Sequence, residues 1–320
     1  MNKPIIPIFY ACDDAYVKFT IVSLHSIMKN ASKDYDYKVY VLNTNIGKEM
    51  QDKLSELQNQ NDNLEIIFSN VSSYLDSIEE RLPLRHYYSK AIYFRIFIAE
   101  MYPEYDKVIY MDSDTIIQGD IADLYNTDIG DCYVAACHEQ AMEQVDVYGT
   151  YSEKVLGLDR HLYFNDGMMI MNTKLFREKN VLDQFLNYLS EYYFIVTQDQ
   201  DYLNIICQGH VYWLDQRWNT ELTDGLVYPY DYREAYILHY IMVNKPWHYH
   251  ECRGADIFWS YAKETAIYDV LISDLQAYTD EQRKRDADSA DQLYQMAIDE
   301  ANREDNFHNM QLKKNARPIE

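Results

Sequence analysis

The stretch that decides the fold is Val108-Ile109-Tyr110-Met111-Asp112-Ser113-Asp114. Four apolar residues in a row read as a buried strand, and the chain then breaks abruptly into two carboxylates two positions apart. Period-two alternation places Asp112 and Asp114 on one side of the backbone. Two carboxylates so placed suit a hard divalent cation shared with phosphate oxygens. Taken alone, the pattern is as well explained by a solvated turn.

Working outward, the chain before this strand alternates. Ile5 to Ala11 reads as a strand, followed by a helix with Tyr16, Thr20, Leu24, Ile27 and Met28 on one face. Tyr37 to Leu42 and Leu64 to Phe68 are further strands, separated by a helix marked by Met50, Leu54 and Leu57. Ala91 to Ala99 reads as a buried helix carrying one cation, Arg95. Such alternation predicts a mostly parallel sheet, whose ligands bind beyond the carboxyl ends of its strands. Asp13-Asp14 and Asp112-Ser113-Asp114 both fall at such ends. The second half is mixed: a strand at Met168 to Met171, helices over 180–195 and 198–207, and short strands near Val211 to Leu214 and Tyr236 to His239. From about Ala266 the chain turns helical, with a thin apolar seam of Ala290, Leu293 and Ala297, and residues 306–320 read as a polar, frayed tail.

Composition narrows the function. The 320-residue chain carries a formal net charge of −23, which repels nucleic-acid backbones and anionic lipid. A diphosphate ligand would need a metal or a few placed cations. Five cysteines without a CxxC pair read as reduced thiols of a cytoplasmic protein. No stretch approaches the ~20 apolar residues of a membrane span. The 32 tyrosines read first as ordinary core and surface aromatics, and second as lining for a polar ligand.

Other residues could complete the site. His239 would bring imidazole to the two carboxylates and favour Mn²⁺-like ions, and Lys245 is a point charge suited to a phosphate. Each also has a bland reading as a structural histidine and a surface lysine. Gln198-Asp199-Gln200-Asp201 opens a helix, where acids interact well with the dipole.

Five segments in chain order resemble glycosyltransferase family eight over roughly residues 5–250. They are Phe9 to Asp14, Val108 to Asp114, Tyr163-Phe164-Asn165-Asp166-Gly167, Asp199 to Asn204, and His239-Tyr240 with Lys245-Pro246-Trp247. The resemblance implies a GT-A fold: an α/β, Rossmann-like nucleotide half joined to a mixed acceptor half over residues 1–262, with C-terminal helices and tail over 263–320. It implies a retaining enzyme that moves galactose or glucose from a UDP-sugar to a glycan or glycoconjugate, with Mn²⁺ (or Mg²⁺) as cofactor. On the matching positions, Ala11 and Asp13 would contact uridine, with Ser113 beside them. Asp112, Asp114 and His239 would bind the metal, and Lys245 the diphosphate. Arg95, Glu139, Asn165, Asp166, Asp199 and Gln200 would surround the donor sugar. Catalytic candidates are Gln200, Asp199 and Asp201.

Two departures stand out. Met242 occupies the glycine of the family's His-x-x-Gly, which predicts looser diphosphate binding or a shifted loop. Asp166 stands where a small residue is usual, which leaves the sugar open. Competing readings are a binding relative without turnover, a self-glycosylating enzyme, and a haloacid-dehalogenase-type phosphatase with Asp112 as nucleophile. A location at the inner face of the membrane, peripheral membrane contact and self-association are further expectations.

Overall fold

The computed structural model describes residues 3–78 and 90–316. Strand β1 (Ile5–Ala11), helix α1 (Val17–Asn30), strand β2 (Asp36–Asn43), helix α2 (Lys48–Gln60) and strand β3 (Leu64–Asn70) alternate as predicted, followed by α3 (Ser72–Ile78). A 3-10 turn over Lys90–Tyr93 leads into α4 (Phe94–Met101) and then β4 (Val108–Met111). The second half holds β5 (Thr115–Ile117), α5 (Ile121–Tyr125), β6 (Val134–Ala136), α6 (Gln140–Gln144) and α7 (Asp146–Tyr151). It continues with β7 (Met168–Met171), α8 (Thr173–Glu178), α9 (Val181–Glu191), α10 (Asp199–Ile206), β8 (Val211–Trp213), β9 (Thr220–Glu221) and β10 (Ile237–His239). Four helices close the described chain: α11 (Ala255–Ala262), α12 (Tyr268–Ala277), α13 (Asp280–Asn302) and α14 (Phe307–Asn315).

The main sheet runs β3-β2-β1-β4-β7-β6-β8. β3, β2, β1 and β4 are mutually parallel, and β7 is antiparallel to both β4 and β6. Its apolar residues divide by alternation between two cores. Ile6, Ile8, Ile109 and Met111 face one layer, and Phe9, Val108, Tyr110 and Met169 the other. All eight are buried, and each large apolar side chain so placed contributes about 1.5–3 kcal/mol. Strands apolar on both faces can exist only where both faces are covered.

A second sheet, β5-β10-β9, begins one residue after Asp114. β10 pairs antiparallel with β5, with His239 opposite Thr115. That register brings His239 to the carboxylates although it lies more than a hundred residues away in sequence. A hydroxyl chain anchors the turn to α1: Ser113 to Thr20 at 2.8 Å, Thr115 to Ser23 at 2.9 Å, and Ser23 to Tyr10 at 2.8 Å.

Two expectations are corrected. Tyr16 is not part of α1; it stands just before the helix and is substantially exposed. Residues 306–316 are not a frayed tail. Asn306 caps α14 through Asn309 N, and buried Phe307 packs against the rings of Tyr188, Tyr192 and Phe194 at 5.8, 5.8 and 5.2 Å. Phe307, with Met310 packing beside the same core, sufficed, because an aromatic cluster awaited it. Most buried tyrosines are structural, as the ordinary reading expects: Tyr202 OH donates to Tyr192 O at 2.7 Å and Tyr240 OH to Gly254 O at 2.7 Å. All five cysteines are free.

Candidate active site

β4 ends at Met111, so the Asp112 side chain emerges at the sheet's carboxyl edge. Tyr110 OH donates to its Oδ1 at 2.8 Å and Arg95 Nη2 at 3.1 Å, leaving Oδ2 for another partner. Asp114 Oδ1 lies 3.2 Å from His239 Nε2, and its Oδ2 accepts from Lys245 Nζ at 2.6 Å. Asp112, Asp114 and His239 each offer a ligand atom within 4.8 Å of the others.

The imidazole's tautomer follows from a chain of fixed donors. Gly167 N–H donates to Asn165 Oδ1 at 2.9 Å, which also accepts from Asn219 Nδ2 at 2.8 Å. Asn219 Oδ1 therefore faces His239 Nδ1, 3.1 Å away, and the ring proton sits on Nδ1. Nε2 is left with its lone pair toward the carboxylates, the arrangement a metal-binding histidine needs. Two carboxylate oxygens and one imidazole nitrogen fit a Mn²⁺-like ion.

Gly167 is required here by close approach. A Cβ on it would lie 2.4 Å from His239 Cε1 and 2.7 Å from Asp112 Oδ2. Burial pushes the Asp114 carboxyl up, but Lys245, and then the His239 ring whenever it is protonated, outweigh it and hold the group well below its ordinary range. Lys245 is buried against Asp114 and also donates to Tyr240 O. Burial lowers its pKa, and Asp114 with Tyr16 and Asp112 more than restores it, so the ammonium stays charged.

Two cavities share Ile92 and Asp112 and form one cleft. The first, about 260 Å³, is lined by Ala11, Cys12, Asp13, Tyr16, Arg95 and Ser113, with both aspartates of the turn. The second, about 370 Å³, has Glu139, Asn165, Asp166, Asp199 and Gln200 among its lining. Both sizes are near those of small-ligand sites. Arg95 is the electrostatic centre between them, with only 4% of its surface exposed. It pairs with Asp112 at 3.1 Å, Asp166 Oδ1 at 2.6 Å and Asp199 Oδ2 at 3.0 Å. One guanidinium cannot neutralise three carboxylates, two of them buried. Burial pushes Asp199 up to about 6 against the pull of Arg95, with Asp112 adding to the rise. Burial likewise raises Asp166 well above the carboxylate range, and its Oδ2 has no hydrogen-bond partner.

Glycosyl transferase family 8 matches residues 7–251. The chain belongs to that family. It is 26% identical to general stress protein A of Bacillus subtilis over 228 residues, 69% of this chain and 76% of the relative. It is 25% identical to the lipopolysaccharide 1,2-glucosyltransferase of Escherichia coli K12 over 251 residues, 75% of this chain and 72% of the relative. The solved galactosyltransferase LgtC, in complex with donor and acceptor sugar analogs, superposes with a TM-score of 0.66 at 25% identity, covering 82% of this chain and 96% of that one. The fold is GT-A, as the resemblance implied, and family membership sets aside the phosphatase reading of Asp112.

Ala11, Asp13 and Ser113 line the smaller cavity; Asp13 Oδ1 also accepts from Ala15 N and Tyr16 N, both at 3.0 Å. Glu139 Oε2 accepts from Asn165 Nδ2 at 2.7 Å and Gln200 Nε2 at 3.0 Å, so these three form one polar patch. Gln200 Oε1 accepts from Asp166 N at 3.0 Å. Asp201 departs from the others. It lines neither cavity and is fully buried, accepting from Tyr151 OH at 2.7 Å and Tyr163 OH at 2.8 Å. Helical rotation turns it into the core while Asp199 and Gln200 line the cleft.

Met242 takes a left-handed φ of 59°, the conformation a glycine adopts freely. The loop has kept that backbone form at a cost of roughly 1–2 kcal/mol. Gln198 is also strained, with φ 52° and ψ −111°, immediately before Asp199. Residues missed from the sequence include Asn219, which fixes the His239 tautomer, and Glu221, buried and accepting from Gln140 N at 3.1 Å behind Glu139. Neither carries a sequence signal. Tyr110 did: it lies two residues before Asp112 on the same strand face. Among the described residues no helix is long and apolar enough to cross a membrane.

Proposed function

We propose that this family 8 enzyme transfers galactose or glucose from a UDP-sugar to a saccharide or glycoconjugate acceptor with retention of anomeric configuration. The observation that carries the reading is the convergence of Asp112, Asp114 and His239 beside Lys245, at the junction of the two cavities. Asp112, Asp114 and His239 would hold a divalent ion, Mn²⁺ by donor chemistry, which when bound supplies Lewis-acid stabilisation of the departing diphosphate. Lys245, held charged by its neighbours, places a cation where negative charge develops on the leaving group. Ala11, Asp13 and Ser113 line the uridine side. Glu139, Asn165, Asp166, Asp199 and Gln200, around Arg95, form the hydroxyl-binding side for the donor hexose.

Retention can arise through a protein nucleophile or by attack from the face the diphosphate leaves. Gln200 is committed at both ends of its amide, and Asp199 is paired with Arg95. Asp201 lies in the core. These restraints support front-face transfer. The acceptor hydroxyl oxygen bonds to C1 as the bond from C1 to the diphosphate oxygen breaks, and the hydroxyl proton passes to the departing phosphate. The test is UDP release from a panel of nucleotide-sugars with and without Mn²⁺, with the anomeric configuration of the product read by NMR. Turnover indifferent to the nucleotide or to metal, or an inverted product, would contradict the reading.

A further inference from the structure

The larger cavity has an uneven lining. Its polar part, described above, also includes Gln198, whose Nε2 is buried without a partner. The rest is mostly apolar and offers few hydrogen bonds. It includes Met142 of α6, Tyr148 of α7, Val196, Ile241 and Met242, and Leu293 of α13. A hexose needs partners for its hydroxyls, and a lining of this kind leaves them unpaired at a cost. It suits apolar surface instead.

Leu293 lies beyond residue 251, where the family match ends. Its helix is nonetheless firmly held. Before it, Asp286 accepts from Tyr249 OH at 2.9 Å and Tyr278 OH at 2.7 Å. After it, Ala297 is fully buried and Glu300 accepts from Tyr192 OH at 2.5 Å and from Arg303 Nη1 at 2.7 Å. A capping box between Thr279 and Gln282 fixes where the helix starts. Next to Leu293, Tyr294 is 43% exposed and packs edge-on against Tyr148, with ring centroids 6.1 Å apart. The apolar seam legible in the sequence thus has two uses: Ala297 packs the helix down, and Leu293 faces the cleft.

We infer that α13 is the acceptor-selecting wall of the cleft, where Leu293, with Tyr148 and Tyr294, packs against an apolar group carried by a glycoside acceptor next to its accepting sugar. The accepting hydroxyl then points to the polar part of the lining and the apolar group lies along α13. This rests on the reading of the cleft as a UDP-sugar site.

The test is affinity of the full chain, loaded with UDP and Mn²⁺, for phenyl and methyl β-glucosides and β-galactosides, measured by NMR titration. The phenyl glycosides should bind about tenfold more tightly than their methyl counterparts, the order of effect expected when an aromatic ring leaves water for an apolar wall. Leu293→Asp should bring the ratio to about one, and Leu293→Met should keep it. UDP affinity and thermal stability of each variant report that the fold is intact. Equal affinities in the wild type, or a preference that survives Leu293→Asp, overturn the inference and leave the UDP-sugar reading standing. A wild-type chain that binds no UDP overturns both.

Discussion

Gly167→Ala is the most exacting perturbation of this site. The added methyl would sit 2.4 Å from His239 Cε1, 2.7 Å from Asp112 Oδ2 and 3.1 Å from Asn165 Oδ1. Carbon contacts settle near 3.5–4.0 Å, so the imidazole must retreat by roughly 1 Å. It has little room, since its Nδ1 is tied to Asn219 and the ring is buried. Metal–ligand distances tolerate only about 0.2 Å, so a shift of that size removes one ligand or deforms the set. Mn²⁺ affinity should fall by about 10–100-fold, the range seen when groups supporting a metal site are disturbed. Overpacking should also cost about 1–3 kcal/mol of stability. The assay is a Mn²⁺ titration followed by electron paramagnetic resonance. Gly225→Ala is the control, because Gly225 has a φ of 89° but nothing within 4 Å. It imposes backbone strain without touching the metal ligands. A Gly167→Ala chain that binds Mn²⁺ within twofold of wild type would refute the reasoning.

Three further outcomes follow from the same geometry. Arg95→Met removes the single cation shared by Asp112, Asp166 and Asp199, and should cost about 3–5 kcal/mol in chemical denaturation at pH 7; a loss below 1 kcal/mol would contradict the buried pairing. Burial pushes Asp201 up to about 6 from its usual 3.8, so the folded state holds its proton longer than the unfolded chain does. The stability this gives is complete below about pH 4 and is lost as pH rises through 6, by up to about 3 kcal/mol. Asp201→Asn, which mimics the protonated acid, should therefore gain on the wild type between pH 4 and 6, and a gap that does not change with pH would speak against it. Gly157→Ala combines a φ of 73° with a Cβ only 2.3 Å from His308 Nδ1, and should destabilise the chain by about 1–3 kcal/mol by displacing α14; an unchanged melting temperature would mean that α14 is not docked there.

How much of this was legible in the sequence depended on how local the determinant was. β1, β2, β4 and β7 were readable because their apolar runs are bounded and buried, and β3, at the sheet edge and only half-buried, because its apolar run is bounded. Asp112 and Asp114 could be placed at a ligand edge from the strand that precedes them. That His239 would reach them could not be derived from spacing; it depends on β10 pairing with β5, a contact between segments far apart whose strands are three residues long. The position of Asp201 was not legible for a related reason. Within Asp199-Gln200-Asp201 every residue is polar, so the sequence carries no sign of which one helical rotation turns into the core. Asn219 and Glu221 act through backbone-fixed hydrogen bonds in a loop and a two-residue strand, where neither periodicity nor composition marks them. Residues 306–316 were read as a frayed tail because the aromatic partners of Phe307 come from residues 188–194, far away in sequence.

If Asp112, Asp114 and His239 hold a divalent ion for a departing nucleoside diphosphate, nucleotide binding and metal binding must be coupled through them. Calorimetric titration of UDP into the full chain, with and without Mn²⁺, tests it most directly when wild type is compared with the Asp112→Ala, Asp114→Ala double variant. The expected result is UDP binding that strengthens at least tenfold with Mn²⁺ in the wild type and no metal dependence in the variant. Equal Mn²⁺ enhancement in both chains would contradict the account.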